Sequence, residues 1–137
     1  MGPLLKMENC IFCKIAKGEI PCYKIYEDES FIAFLDINPA TKGQTLVISK
    51  EHKDYLFDLN EDIYSDLFLK SKKIVKAIDK ALDTKRTCII VEGFEIDHAH
   101  IKLHPCYENR LKINPMEEKI SEKEMIEICE NIKSFLK

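Results

Sequence analysis

The residues best placed to do chemistry stand in one short segment, His98-Ala99-His100-Ile101-Lys102-Leu103-His104, which holds three of the chain's four histidines. Polar and apolar side chains alternate through it. Successive side chains of a strand point to opposite faces, so His98, His100, Lys102 and His104 share one face, while Ala99, Ile101 and Leu103 can enter a core. Neighbours on one face lie about 7 Å apart. Imidazole is costly to bury and titrates near neutrality, so it serves as nucleophile, general base or metal ligand. A face of imidazoles with one ammonium suits an anionic phosphoryl group.

A second cluster is Cys10-Ile11-Phe12-Cys13. A redox CxxC pair usually follows a strand and opens a long helix. Here no strand precedes the pair and the helix after it is short. A zinc site needs two further ligands, which His52 and the histidine strand can supply. Simple buried thiols are the third reading. Cys22, Cys88, Cys106 and Cys129 are scattered and carry no assigned role.

The elements that must position these groups follow from periodicity. Cys10 to Ala16 reads as a short helix or turn, stopped by Gly18 and Pro21. Residues 23–27 and 31–35 read as a hairpin around Asp28-Glu29-Ser30. Asp36 to Gly43 is dense in turn residues and is expected to be an exposed loop. Thr45 to Ile48 is a buried strand. Asp62 is expected to cap a long helix running to Leu82, with Ile63, Leu67, Ile74, Ile78 and Leu82 on its buried stripe. Residues 87–91 form a fourth strand, and His98 to His104 a fifth, ended by Pro105. Ser121 opens a C-terminal helix with Glu124 in a capping box and Ile126, Cys129, Ile132 and Leu136 buried. This order predicts an α+β fold with a mainly antiparallel five-stranded sheet.

With 137 residues, 45% hydrophobic and 33% charged, the chain fits one domain with a real core. A net charge of −3 without like-charge blocks argues against nucleic acid and polybasic membrane contacts. No apolar run reaches the roughly 20 residues of a membrane span, and no secretory signal is visible. The cysteines are therefore expected to be reduced and the protein cytoplasmic. Met7 can be a natural start, so residues 1–6 read as an expression remnant or loose tail and 7–137 as the domain.

The sequence resembles the histidine triad family of nucleotide hydrolases and transferases, most closely its small zinc-containing prokaryotic members. The markers run in order from Cys10-Ile11-Phe12-Cys13-Lys14-Ile15 through Gly18-Glu19-Ile20-Pro21, Phe34-Leu35-Asp36-Ile37-Asn38-Pro39, Lys42-Gly43-Gln44-Thr45-Leu46-Val47-Ile48 and Lys50-Glu51-His52 to His98-Ala99-His100. The resemblance implies a homodimer and a purine nucleotide as the small-molecule partner. It implies that His100 attacks the α-phosphorus of a nucleoside phosphoramidate or dinucleoside polyphosphate, forming a nucleotidyl-histidine. It implies a closed, structural zinc on Cys10, Cys13, His52 and His98, ribose hydroxyls on Asp36, and a base slot walled by Phe12, Ile15, Phe34 and Ile37. A turn-capping carboxylate is the plainer reading of Asp36.

Two departures stand out. Lys102 replaces the third histidine, where it can neutralise phosphate but is a poor proton shuttle. A nucleotide-binding protein or nucleotidyltransferase with weak hydrolysis is therefore the alternative reading. The loop from Glu92 to Asp97 is short and lacks the family's serine. Glu95 sits near that place, either as a proton donor or as a solvated loop residue.

Overall fold

The computed structural model describes residues 9–136, so the tail read at residues 1–6 lies outside the described residues. In chain order the elements are α1 (Ile11–Ala16), β1 (Lys24–Glu27), β2 (Phe31–Leu35), β3 (Thr45–Ser49), a 3-10 turn (Leu56–Asp58), α2 (Glu61–Leu82), β4 (Arg86–Ile90), β5 (His100–Cys106) and α3 (Glu122–Ser134). The strands form one antiparallel sheet in the order β1-β2-β3-β5-β4. The fold is therefore α+β, as the alternating patterns require.

The two-residue period of the strands divides the sheet between two jobs. Ala33, Leu35, Val47, Ile101 and Leu103 point to one face, where α2 brings Leu67, Ile74 and Ile78 and α3 brings Met125, Ile128 and Ile132. Ile32, Phe34, Leu46 and Ile48 point to the other, under Phe12, Cys13 and Ile15 of α1. The β3–β5 register pairs Ile48 with His100 and Leu46 with Lys102. The chemical side chains therefore stand on the α1 face. No helix among the described residues is long and apolar enough to cross a membrane.

Five local expectations need correction. Asn60, not Asp62, caps α2, accepting from the Ile63 N–H at 2.9 Å. Asparagine caps as well as aspartate, and Asp62 is left in the first turn, where its charge meets the helix dipole favourably. Ser121 does cap α3, accepting from the Glu124 N–H at 3.1 Å, but the Glu124 carboxylate takes Lys42 at 2.6 Å, so only half of the capping box forms. On α3 the buried stripe is Met125, Ile128, Cys129 and Ile132, with Ile126 48% exposed. The loop from Asp36 to Gly43 is only partly exposed, since residues 39–41 and Gly43 are buried.

The fifth strand is displaced. It begins at His100 and runs through Pro105 to Cys106. The Pro105 carbonyl accepts from the Thr41 hydroxyl at 2.7 Å, away from β4. In a strand the nitrogen of the same residue faces the same way. There β3 has already ended, so the missing N–H removes no ladder bond.

Gly43 has φ +84, and a Cβ there would lie 2.3 Å from Leu82 Cδ1 at the end of α2. The replacement Gly43→Ala is expected to cost about 1–3 kcal/mol of stability. Urea unfolding checks this as a lower midpoint at unchanged slope.

Candidate active site and metal centre

Four ligand groups converge where α1 meets the approach to β5. Cys10 Sγ lies 3.3 Å and Cys13 Sγ 3.5 Å from His98 Nδ1. Cys13 Sγ lies 3.1 Å from His52 Nδ1, and the two Nδ1 atoms are 3.2 Å apart. All four ligand atoms fall within 4.8 Å of one another. With metal–ligand bonds of about 2.3 Å to sulfur and about 2.0 Å to nitrogen, a tetrahedron has S···N edges near 3.6 Å and N···N edges near 3.3 Å. The four edges just given are close to these.

The protonation states also fit a cation. His98 Nε2 donates to the Ser49 carbonyl at 2.6 Å, which leaves Nδ1 as a bare lone pair aimed at the thiols. Burial first, with the neighbouring imidazoles, pushes His98 down to about 4 against the pull of that bond, so it stays neutral. Burial, and then Cys10, pushes the Cys13 thiol up to about 12. Two thiolates there need a bound positive charge, and a closed two-sulfur, two-imidazole set is the donor chemistry of structural zinc.

His100 stands beside this set and belongs to a different chemistry. Its Nδ1 donates to the His98 carbonyl at 2.5 Å, leaving Nε2 as the free lone pair. The Phe12 ring meets it edge-on, with centroids 5.0 Å apart. Burial lowers its pKa and the His98 bond opposes this. Lys102 lowers it further, while Glu92 and Asp36 act the other way. His100 borders a cleft with Asp54, Tyr55, Glu92, Phe94 and Asp97.

The remaining predicted residues are held separately. Asp36 is held from two sides: Oδ1 accepts the Asn38 N–H and Oδ2 the Gln44 amide, both at 2.9 Å. The turn-capping contact is thus present, and the Gln44 bond fixes the carboxylate in addition. Phe12, Ile15 and Phe34 are buried together, whereas Ile37 is 68% exposed. Lys102 Nζ pairs with Glu92 Oε1 at 3.1 Å. Glu95 lines a separate depression with Cys10 and His52, so the structure sets it on the metal side and not in the cleft of His100. His104 Nδ1 bonds to the Lys112 carbonyl, and its Nε2 is buried without a partner.

Sequence reasoning passed over Ser49, Gln44 and Glu92. Ser49 acts through its backbone carbonyl, which leaves no mark in residue type. Glu92 becomes legible only once Ile90 is known to pair with Lys102.

The HIT domain model matches residues 17–109. The chain is 40% identical over 105 residues to Protein hit of Bacillus subtilis, covering 73% of this chain and 72% of that one. It is 40% identical over 99 residues to adenosine 5'-monophosphoramidase hnt1 of Schizosaccharomyces pombe, covering 71% and 74%. A zinc-bound histidine triad family protein from Mycobacterium smegmatis superposes with a TM-score of 0.80 at 26% identity, covering 95% of this chain and 94% of that one.

Metal analysis tests the four-ligand set. Cys13→Ser is expected to lower bound divalent metal about tenfold or more and to reduce the melting temperature. Equal metal content in both proteins would count against the site.

Proposed function

We propose that this chain, which belongs to the HIT family, is a hydrolase that cuts a purine nucleotide at its α-phosphate. The observation that carries this reading is the His100 imidazole. Its Nδ1–H is fixed on a backbone carbonyl, so Nε2 is presented as a nucleophile in one tautomer. Names borne by relatives, such as adenosine 5'-monophosphoramidase, point to the same bond class.

The substrate is a nucleoside phosphoramidate or a dinucleoside polyphosphate. Its ribose hydroxyls donate to Asp36, whose carboxylate the Asn38 N–H and Gln44 already orient. Phe12, Ile15, Phe34 and Ile37 wall the base. Nε2 of His100 forms a bond to the α-phosphorus as the bond to the leaving group breaks. The leaving group departs with a proton drawn from solvent in the cleft. The His98 carbonyl stabilises the imidazole as it gains positive charge, and the Lys102 ammonium offsets the phosphoryl oxygens. Water then attacks phosphorus, giving its proton to solvent. The P–N bond to His100 breaks, and the nucleoside monophosphate and free imidazole result.

Cys10, Cys13, His52 and His98 would hold zinc, which supplies a structural cross-link with no open position for water. The working unit is a homodimer in the cytoplasm. A second reading, a nucleotidyltransferase or a binding protein with slow hydrolysis, is favoured by one observation: Lys102 stands where a third imidazole could relay a proton.

Single-turnover incubation with a labelled adenosine phosphoramidate separates these readings. Prompt release of free monophosphate is expected. A label that persists on the protein and disappears in His100→Ala indicates transfer or stalled turnover. His100→Ala is expected to lose about 10³-fold or more in rate. Asp36→Ala is expected to weaken monophosphate binding about tenfold, read by calorimetry.

A further inference from the structure

We infer that Glu92 is a positioning residue that holds the Lys102 ammonium beside His100 and ties it to the loop bordering the cleft. This rests on the reading of His100 as nucleophile. Strand β4 ends at Ile90, opposite Lys102, and Val91 carries the chain on to Glu92. Both oxygens of the Glu92 carboxylate are used. Oε1 accepts from Lys102 Nζ at 3.1 Å, and Oε2 accepts from the Phe94 N–H at 3.3 Å. Gly93, at φ +75, makes the turn between them. The Lys102 and Glu92 side chains are 20% and 32% exposed, so the pair is partly withdrawn from water. Glu92, Phe94 and His100 border the same cleft.

The need for such a partner follows from the side chain in place. Lysine has four rotatable bonds, and fixing them costs more rotamer freedom than fixing almost any other side chain. An imidazole has two, and a single bond to a carbonyl fixes it. A lysine at this position holds one geometry only if another group fixes the ammonium. Glu92 can do so because it is itself pinned by the Phe94 N–H. The bond from Lys102, with that of Phe94, holds the Glu92 carboxyl below its ordinary range, so it is an anchor and not a proton donor. An ordinary surface ion pair, by contrast, would be worth little and would touch nothing in the reaction.

A double-mutant cycle tests this with Glu92→Gln, Lys102→Met and the double variant. Three readouts are taken: kcat and KM on an adenosine phosphoramidate, amide hydrogen exchange over residues 92–97, and the melting temperature. Each single variant is expected to lose about tenfold in kcat with little change in KM. The double variant is expected to be no worse than Lys102→Met alone, because Glu92 acts through Lys102. Faster exchange at the Phe94 amide is expected in both single variants, without further gain in the double, at an unchanged melting temperature. An intact kcat in Glu92→Gln, or losses that multiply in the double variant, would overturn the inference. If the unsubstituted protein leaves the phosphoramidate uncleaved, the nucleotide hydrolase reading fails, and the exchange measurement still decides the tie. Equal, non-additive loosening supports it, and an undisturbed Phe94 amide overturns it.

Discussion

The bond from His98 Nε2 to the Ser49 carbonyl is the constraint on which the site depends. It sets the tautomer of His98, and thereby which nitrogen faces the two cysteines. The backbone carbonyl of the same residue accepts from His100 Nδ1, and so sets the tautomer of His100 as well. One residue thus joins the cluster of Cys10, Cys13 and His52 to His100. The backbone around it is pinned from outside the sheet, with Ala99 N–H bonded to the Lys53 carbonyl and His98 N–H to that of Ile96. A cation on Cys10 and Cys13 would fasten α1 to this point. α1 carries Phe12, which packs edge-on against His100. The six-residue helix α1 is too short to be stable from propensity alone, so its position has to come from such a fastening and from its buried face.

Periodicity makes most of this legible in the amino-acid sequence. The alternation of His98 to His104 separates core from chemistry, because a strand has a strict two-residue period. The CxxC pair and two histidines have the donor types of a zinc set, and the fold brings those four together. The features that residue type does not reveal are governed by contacts it does not encode. Two good caps, Asn60 and Asp62, lie two residues apart, and α2 takes the first. Ile126 fits the stripe of α3 in sequence, yet it is Met125 and Ile128 that turn inward. Pro105 reads as a strand stop, but it sits where the neighbouring strand has already ended, so it costs the sheet nothing. The loop at Asp36 has turn chemistry throughout, but Gly43 must pass under Leu82, and that close approach buries part of it.

Electrostatics then sets what the histidine face can do. The chain carries a net charge of −3, and Asp54, Glu92 and Asp97 all border the cleft of His100. Long-range attraction therefore does not favour an anionic substrate, and beyond about 8 Å charges are screened at physiological ionic strength. Binding energy for a phosphoryl group has to come from donors within a few ångströms. On this face the neutral imidazole of His100 supplies a lone pair and Lys102 a full positive charge. Within that radius the gain from an ammonium depends steeply on distance, since a partly dry site weakens the field far less than water does. A third imidazole on β5 would be held by the strand. Lys102 reaches further, and without a partner its ammonium would turn to bulk water. The acidic rim that opposes substrate approach also contains the carboxylate that stops it doing so. The same charges that make the cleft unattractive at long range thus keep the Lys102 ammonium where short-range contact can use it.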